Sequence, residues 1–403
     1  MYKTMIAVML LAAFGAAQAQ DKAAPPPIWA QGRERAMADS KLAPHAAKNT
    51  ETPASEIPID TLKLPKGFSV EIWATGIPGG REMVRGPKGK IYVGTRGIGR
   101  VYEVTDTGDK RTSRVVVDKL NQPAGVAFQD GSLYVMSIDK VLRYDGIEDK
   151  ADAPAVDMTA AFKVPLTTHH NWKYITFGPD KKLYVPIGAP CNICDPPENA
   201  SQIRRYNADG SGMEVIARGM RNSLGMDWHP KTGQLWFVDQ GRDWMGDKGP
   251  QEELNKLSKV GEFFGFPYCH NNGIPDPDVK KDKPCEGMTK PVALLGPHAS
   301  VLGTRFYTGN MFPAEYKDTL FIARKGSWNR NQKFGYDVVN VRLAADGKSA
   351  KVKPFLTGFL NGKKNAFWGR PAYLLLMPDG AMLVSDEQLG AIYRISYAGG
   401  KKK

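Results

Sequence analysis

An apolar stretch, a turn that contains Pro, Gly or Asp, and a second short stretch of strand-forming residues follow one another six times along the chain. The six copies read MVRGPKGKIYV, VAFQDGSLYV, ITFGPDKKLYV, MDWHPKTGQLWFV, FYTGNMFPAEYKDTLFI and LLLMPDGAMLV. A strand, a tight polar turn and another strand indicate an antiparallel hairpin. Because one such unit cannot bury both of its faces, the pattern predicts an all-β fold, a six-bladed β-propeller with long inter-blade loops. A β-sandwich or a solenoid is the alternative.

Three further segments complete this picture. Phe68–Trp73 alternates apolar and polar residues and has no hairpin partner of its own. We expect it to pair with the last blade near Ile392–Ile395, which would close the ring and remove an exposed edge. Pro250–Lys256 is the best candidate for a helix, and the longest gap between copies, Asp239–Gly303, should carry much of the functional loop material.

The first residues, MYKTMIAVMLLAAFGAAQAQ, are typical of a cleaved signal peptide. Lys3 gives a positive start, residues 5–13 are apolar, and residues 17–19 form a small-x-small cleavage site. We therefore expect a periplasmic or secreted protein. The predicted organisation is a signal peptide (1–19), a flexible N-terminal segment (20–60), the propeller (61–398) and a basic tail (399–403).

Composition and charge narrow the class of protein. With 42% hydrophobic and 24% charged residues, the 403-residue chain is neither disordered nor a disulfide-built mini-protein. The formal net charge is +13, from 55 basic and 42 acidic side chains. We expect no nucleic-acid partner, because the charge is dispersed and the protein is predicted to be exported; a basic pocket for an anionic cofactor, or a face for an acidic partner, stays open. No stretch after the first twenty residues is apolar for long enough to span a bilayer, so we expect no membrane span.

The four cysteines fit an oxidising compartment. Cys191 and Cys194 form a C-x-x-C, and Cys269 and Cys285 lie close together further along the chain. Two local disulfides are the favoured interpretation, and a zinc site is the alternative. Asp195, rather than His, follows Cys194, which excludes covalent haem.

Two polar groups immediately precede hairpins, where loops lead towards the mouth of a propeller channel. His169-His170 precedes the third hairpin; a histidine there can act as a general base, or the two can be a structural pair bonded to main-chain carbonyls. Arg221-Asn222 precedes the fourth hairpin, and this pair suits a carboxylate or a quinone oxygen, although a surface arginine is the alternative. The oxygen-rich loop at residues 239–247 suits Ca²⁺, but its spacing is not that of an EF-hand.

Further cations recur in the same register, next to aromatic rings. Arg81 precedes the first hairpin, Lys325, Trp328 and Arg330 follow the fifth, and Arg370 precedes the sixth. A radial fold would point these loops at one axis, so the arrangement predicts a pocket for a flat polyanion. Scattered surface charge is the alternative.

Taken together, these stretches resemble the soluble pyrroloquinoline quinone (PQQ)-dependent sugar dehydrogenases, in particular the L-sorbosone and pyranose dehydrogenase branch. The resemblance runs from Leu64 to Tyr397. Its most specific parts are HHNWKYITFGPDKKLYVPIGAPCNIC, ARGMRNSLGMDWHPKTGQLWFVDQGRDWMGD and FWGRPAYLLLMPDG.

The resemblance implies roles for individual residues. By register with the Gly-Pro-Asp turn at residues 178–180, His170 would be the catalytic base, and Arg221 would stabilise charge on the cofactor oxygen. Main-chain carbonyls of Gly241 and Arg242 would bind Ca²⁺. The implied cofactor-binding residues are Arg81, His169, Arg221, Asn222, Lys325, Trp328, Arg330 and Arg370.

The function implied is that of an exported dehydrogenase with PQQ and Ca²⁺ as cofactors. It would oxidise a sugar or a sugar-derived aldehyde and would pass electrons to an external acceptor, a cytochrome or a quinone, because the sequence has no haem motif. Two alternatives are kept: a Ca²⁺-dependent lactonase or other hydrolase on a six-bladed propeller, and a non-catalytic propeller that binds a glycan or a protein.

Overall fold

The computed structural model describes residues 27–33, 37, 39–48 and 50–399, and this part of the chain is almost entirely β-structure. Its one α-helix is α1, Thr159–Phe162. Within the described residues, no helix has the length and apolar character needed to cross a membrane. The short 3₁₀ helices are Ile28–Ala30, Ala54–Glu56, Ile59–Thr61 and Ala314–Tyr316.

The strands are short and follow one another closely. In chain order they are β1 Phe68–Ala74, β2 Gly80–Arg85, β3 Ile91–Thr95, β4 Val101–Asp106, β5 Arg111–Val117, β6 Gly125–Gln129, β7 Ser132–Met136, β8 Val141–Asp145, β9 Ala155–Asp157, β10 Thr176–Phe177, β11 Leu183–Ile187, β12 Gln202–Tyr206, β13 Glu214–Arg218, β14 Met226–Trp228, β15 Leu235–Asp239, β16 Gln251–Lys256, β17 Glu262–Phe263, β18 Cys269–His270, β19 Ile274–Pro275, β20 Ala293–Pro297, β21 Val301–Phe306, β22 Leu320–Arg324, β23 Asp337–Leu343, β24 Ala350–Leu356, β25 Leu360–Asn361, β26 Ala366–Phe367, β27 Pro371–Leu376, β28 Met382–Asp386 and β29 Ala391–Tyr397.

Six antiparallel sheets form the blades of a ring. From the inner strand outwards, blades 1 to 6 are β2-β3-β4-β5, β6-β7-β8-β9, β10-β11-β12-β13, β14-β15-β16-β20, β21-β22-β23-β24 and β27-β28-β29-β1. Blade 3 carries β17 as a short parallel addition to β13. The six hairpins predicted from the sequence are the first two strands of the six blades, so the six-bladed β-propeller is confirmed.

Alternation along the strands supplies the core. Ile91 and Val93 of β3 pack against blade 6, whereas Tyr92 between them packs against blade 2. Successive residues of a strand point to opposite faces, so each blade presents one apolar face to each neighbour. The same arrangement recurs at every boundary between blades, and the six resulting clusters form a closed ring of apolar contacts.

The predicted closing strand is also confirmed. β1 pairs antiparallel with β29, with Phe68 opposite Tyr397 and Ile72 opposite Tyr393. The Phe68 ring packs edge-on against Phe312 and Phe355 of blade 5, with centroids 4.8 and 5.0 Å away. The first strand of the propeller in sequence therefore completes its last blade.

The helix predicted for Pro250–Lys256 is wrong. Gln251–Lys256 forms β16, which pairs with β15 on one side and with β20 on the other. The segment has good helix formers, but two strand ladders and four consecutive buried residues override that local preference.

Both predicted disulfides are present, as Cys191–Cys194 and Cys269–Cys285. The predicted signal peptide lies outside the described residues, as do residues 400–403 of the predicted tail. We expected residues 20–60 to be a flexible lead. In the structure the described residues of that range contact the propeller, for example through a hydrogen bond from Thr52 N to Leu389 O of 3.2 Å.

Candidate active site

A pocket lies where loops from several blades meet at one end of the ring. Because adjacent strands run antiparallel, the start of each inner strand and the end of the second strand lie at the same edge of a blade. The pocket brings together nine of the residues singled out in the sequence: Arg81, His169, His170, Arg221, Asn222, Gly241, Lys325, Trp328 and Arg370.

One side of this pocket is a cluster of buried cations around a single carboxylate, which we call the cation cluster. Arg81 Nε donates to Glu387 Oε2 at 2.8 Å, Arg96 Nη1 donates to Glu387 Oε1 at 3.1 Å, and Lys325 Nζ lies 3.4 Å from Oε2. Arg370 is buried beside them and donates to the main-chain carbonyls of residues 325 and 326. Four cations therefore surround one buried carboxylate.

The electrostatics of the cation cluster favour an added anion. Burial, together with Arg81 and Arg370, holds the pKa of Lys325 well below its usual range despite the attraction of Glu387. Although burial acts to raise it, the surrounding cations hold the pKa of Glu387 well below its ordinary value. Arg81 Nη1 is buried without a hydrogen-bond partner. A buried donor and an excess of positive charge are both costly unless an anionic ligand pairs with them.

His170 lies at the pocket with a defined tautomer. Its Nδ1 is 3.0 Å from the carbonyl oxygen of Ala189, which can only accept, so Nδ1 carries the proton and Nε2 keeps its lone pair. Burial, with Arg221 and His169 nearby, lowers the pKa of His170 well below 6.5. The backbone of His170 has φ +43°, and a Cβ at Gly188 would lie 2.5 Å from its Cβ. A glycine at position 188 is thus required for this placement.

Arg221 is held by the loop that carries the Cys191–Cys194 disulfide. Its Nε donates to Asn192 O and its Nη2 donates to Asn192 Oδ1, at 2.9 and 2.7 Å. Nη1 donates to Gly241 O at 2.9 Å, and Nη2 also donates to Asp243 Oδ2 at 2.7 Å. These four bonds use four of the five N–H donors of a guanidinium. The fifth, on Nη1, remains for a ligand.

Arg242 and Arg330 lie outside the pocket lining. The Arg242 guanidinium is fully buried and donates to Asp276 and Asp278, both at 2.8 Å. Arg330 is partly exposed and donates from Nε to Gln332 O at 2.9 Å, so its guanidinium is not part of the cation cluster. The side chains of both residues therefore stabilise loops.

The predicted metal ligands are main-chain carbonyls of two residues, and only one of these residues lines the pocket. Gly241 lines the pocket, but its carbonyl oxygen accepts the hydrogen bond from Arg221. Among the residues that the structure describes, no group of three or more His, Cys, Asp or Glu side chains is arranged to hold a metal ion.

Sequence reasoning missed several side chains at the pocket. Arg96 follows β3 directly and Glu387 follows β28 directly, as Lys325 follows β22; this shared register could have identified both. Trp172 lies 4.5 Å beneath the Arg96 guanidinium. His298 lies in the short loop between β20 and β21, before the inner strand of blade 5, so the register of Arg221 and Asn222 before β14 could have identified it too.

The chain that precedes the propeller also reaches the pocket. We call residues 27–33, 37 and 39–48, the described part of this segment, the N-terminal strap. Trp29, Pro44 and His45 of the strap line the pocket. Nothing in the sequence pattern indicated this, since the segment has no periodicity.

The chain is similar in sequence to known proteins. The sequence model of a family described as TrAA12-like matches residues 62–398. A protein of Borreliella burgdorferi described as uncharacterized is 32% identical over 359 residues, which cover 86% of this chain and 93% of that protein.

A pyrroloquinoline quinone-dependent pyranose dehydrogenase of Coprinopsis cinerea is 23% identical over 429 residues. The match covers 86% of this chain but only 56% of that protein, so the chain spans just over half of this relative. Among solved structures, the calcium structure of the Trichoderma reesei family AA12 enzyme has a TM-score of 0.69 at 20% identity, covering 84% of this chain and 97% of that one. At this identity the likeness concerns the fold.

Proposed function

The chain belongs to the TrAA12-like family, and on that premise we propose that it is a PQQ- and Ca²⁺-dependent dehydrogenase that oxidises a sugar or a sugar-derived aldehyde. The observation that carries the proposal is the cation cluster beside a histidine with a free Nε2. PQQ bears three carboxylates, and the cluster provides four cations, three of them buried, against one carboxylate of its own. The unpartnered Arg81 Nη1 and the depressed pKa of Lys325 both favour such an anion.

The residues present fit the cofactor. Arg81, Arg96, Lys325 and Arg370 would bind its carboxylates, and the remaining Nη1 donor of Arg221 would face a developing negative charge on its oxygen. When bound, PQQ would supply a quinone that accepts hydride from the substrate, and Ca²⁺ a Lewis acid that polarises that quinone.

His170 would act as the base that removes the proton from the substrate hydroxyl. Its Nε2 would accept this proton because the Ala189 carbonyl keeps the other ring nitrogen protonated. The low pKa of His170 keeps the ring unprotonated at neutral pH, in the form that a base needs. His169, whose ring centroid is 4.0 Å away, packs against it and restricts its orientation.

Calcium fits the loop after β15 by donor type, since it prefers oxygen ligands. The carbonyl of Gly241 lies beside the carboxylate of Asp243, and both contact Arg221. The Gly241 carbonyl oxygen has two lone pairs and accepts one hydrogen bond from Arg221, so its second lone pair would be available to a calcium ion.

The proposal extends to location and partner. The predicted signal peptide supports export to the periplasm or the medium. Reoxidation would require an external acceptor, a cytochrome or a quinone, because the chain has no haem-attachment motif.

A reconstitution tests the proposal. The purified protein is titrated with PQQ in the presence of Ca²⁺, with tryptophan fluorescence as the signal, and dye reduction is then followed with aldoses, ketoses and sugar aldehydes. We expect saturable PQQ binding and turnover that requires both PQQ and Ca²⁺. Absence of PQQ binding would contradict the proposal, and cleavage of a lactone instead would support the hydrolase alternative.

A further inference from the structure

We propose that the N-terminal strap is the outer wall of the sugar-binding part of the pocket, and that Trp29 and Trp328 together contact a single sugar ring. The substrate would therefore be a monosaccharide or a sugar aldehyde of similar size rather than an oligosaccharide. The inference rests on the proposed function and names the size class of its substrate.

Buried side chains of the propeller hold the strap through its main-chain carbonyls. Asn192 Nδ2 donates to Gln31 O at 2.6 Å, Arg242 Nη2 donates to Gly32 O at 2.8 Å, and Trp244 Nε1 donates to the carbonyl of residue 29 at 2.7 Å. All three donor side chains are almost completely buried. Without the strap these N–H groups would lose acceptors in a buried environment, which is costly. The strap is thus an integral part of this end of the propeller.

The fit at position 32 is equally specific. Gly32 has φ +69°, and a Cβ there would lie 2.4 Å from Arg242 Nη2. Only glycine allows the strap to approach the buried guanidinium so closely. Arg242, predicted as a metal ligand, therefore has a side chain that links the strap to the loop after β15.

The bound strap places Trp29 beside two other tryptophan rings, an arrangement that we call the aromatic corner. The Trp29 ring is perpendicular to that of Trp328, with centroids 5.8 Å apart, and Trp244 packs edge-on behind Trp328 at 5.4 Å. Trp29 and Trp328 both line the pocket. Two aromatic faces at a right angle provide apolar walls on two sides of one ring-sized ligand, and aromatic walls with a few polar groups are typical of small-molecule sites.

The other end of the strap lies next to the cation cluster. His45 lines the pocket, and its ring packs against Phe367 with centroids 4.9 Å apart. Arg370 and Lys325 are close enough to affect its charge. The strap therefore runs from the aromatic corner to the edge of the proposed cofactor site, and it would obstruct a longer glycan that extended from the pocket on this side.

The strap lies outside the region that the family shares. The family model begins at residue 62, and the strap ends at residue 48. The wall is therefore formed by residues that precede the part of the chain matched by the family model.

The test uses the full chain loaded with PQQ and Ca²⁺, and compares glucose, maltose and maltotriose as substrates. For Trp29→Ala we expect the KM for glucose to rise about tenfold with kcat within about twofold, because one apolar wall of the ring is lost. The ratio of kcat/KM for maltotriose to that for glucose should rise by a similar factor. The Kd for PQQ from fluorescence titration should stay unchanged, and Trp29→Phe should restore most of the KM.

Ile28→Ala is the matched control, since Ile28 lies in the same 3₁₀ helix, is exposed and does not line the pocket. It should behave as the wild type. The inference is overturned if Trp29→Ala matches Ile28→Ala in KM and in sugar preference, or if the wild type already oxidises maltotriose as efficiently as glucose. Failure of the proposed function would look different. If the wild type binds no PQQ and oxidises none of the three sugars, both the proposed function and the inference about the strap are overturned.

Discussion

His170 shows how one main-chain contact defines the chemistry of a side chain. The Ala189 carbonyl selects the tautomer, and burial keeps the ring neutral, so Nε2 is available as a base without help from a carboxylate. The strained backbone at His170 is tolerated because Gly188 leaves room for it.

We predict that His170→Ala lowers kcat at least about 100-fold, because general-base catalysis contributes a factor of roughly 10² to 10⁴. PQQ affinity should change little, since the cation cluster is intact. The measurement is steady-state dye reduction combined with a PQQ titration. His229→Ala, which removes a histidine from the turn between β14 and β15, should leave both unchanged. A near-normal kcat for His170→Ala would remove His170 from the mechanism.

Arg370 and Arg330 give a matched pair for the cation cluster. Arg370 is buried at the pocket, whereas Arg330 is partly exposed and bonded elsewhere. We predict that Arg370→Ala weakens PQQ binding by roughly 10- to 100-fold, the effect of losing a hydrogen bond to a charged group. Arg330→Ala should bind PQQ like the wild type. Equal losses in the two variants, measured by fluorescence titration, would contradict the placement of the cofactor in the cation cluster.

At the scale of elements, β15 and β16 carry two acidic residues directly opposite each other. Asp239 and Glu253 are cross-strand partners and both are buried. Asp239 accepts hydrogen bonds from the main-chain N–H groups of Arg221 and Asn222, at 2.9 and 2.8 Å, and so positions the loop that carries this pair. Burial, and then the Asp239 charge, raise the pKa of Glu253 to about 7; burial raises the pKa of Asp239 to about 6.

This pair makes stability depend on pH with a definite sign. Both pKa values lie above those of the unfolded chain, so between about pH 4 and pH 7 the folded state binds more protons. The contribution of the pair is fully present at low pH and is lost as the pH rises to 7. We predict that the free energy of unfolding of the wild type falls by roughly 2 kcal/mol between pH 5 and pH 7.5, relative to that of Glu253→Gln, whose side chain at position 253 cannot ionise.

Denaturant unfolding of both proteins at the two pH values, without PQQ or calcium, measures this difference. Glu286→Gln, at an exposed position, is the control and should show the pH dependence of the wild type. A difference between wild type and Glu253→Gln that stays constant with pH would mean that Glu253 is ionised throughout.

At the scale of the whole molecule, the ring depends on a contact between its two ends. β1 is the outer strand of blade 6, and its residues pack with those of blades 5 and 6. The loops of the pocket come from blades that keep their relative positions only while this ring is closed.

We predict that deletion of residues 68–73 abolishes cooperative unfolding of the propeller, because it exposes β29 and the apolar faces of two blades. Circular dichroism during thermal unfolding provides the measurement. Deletion of residues 28–33 from the strap, a segment of the same length, should keep the cooperative transition. A stable, cooperatively folded protein without residues 68–73 would show that the ring closes by other contacts.

The sequence by itself determined the blades, the closing strand and the two disulfides. Each follows from local or periodic information: alternation, turn residues, and cysteines close in the chain. It also indicated nine of the residues that line the pocket, including His170, Arg221 and Arg370, because blade register repeats along the chain and places equivalent positions at the same edge.

Only the tertiary structure decided which of these side chains meet. Gln251–Lys256 became a strand because β15 and β20 pair with it on its two sides. Arg242 and Arg330 bind to loops and do not line the pocket. Glu387 at the centre of the cation cluster, and Trp29 at the aromatic side of the same pocket, come from opposite ends of the chain. Radial packing brings such residues together, and side-chain direction at the ring's mouth depends on non-local contacts that no sequence period encodes.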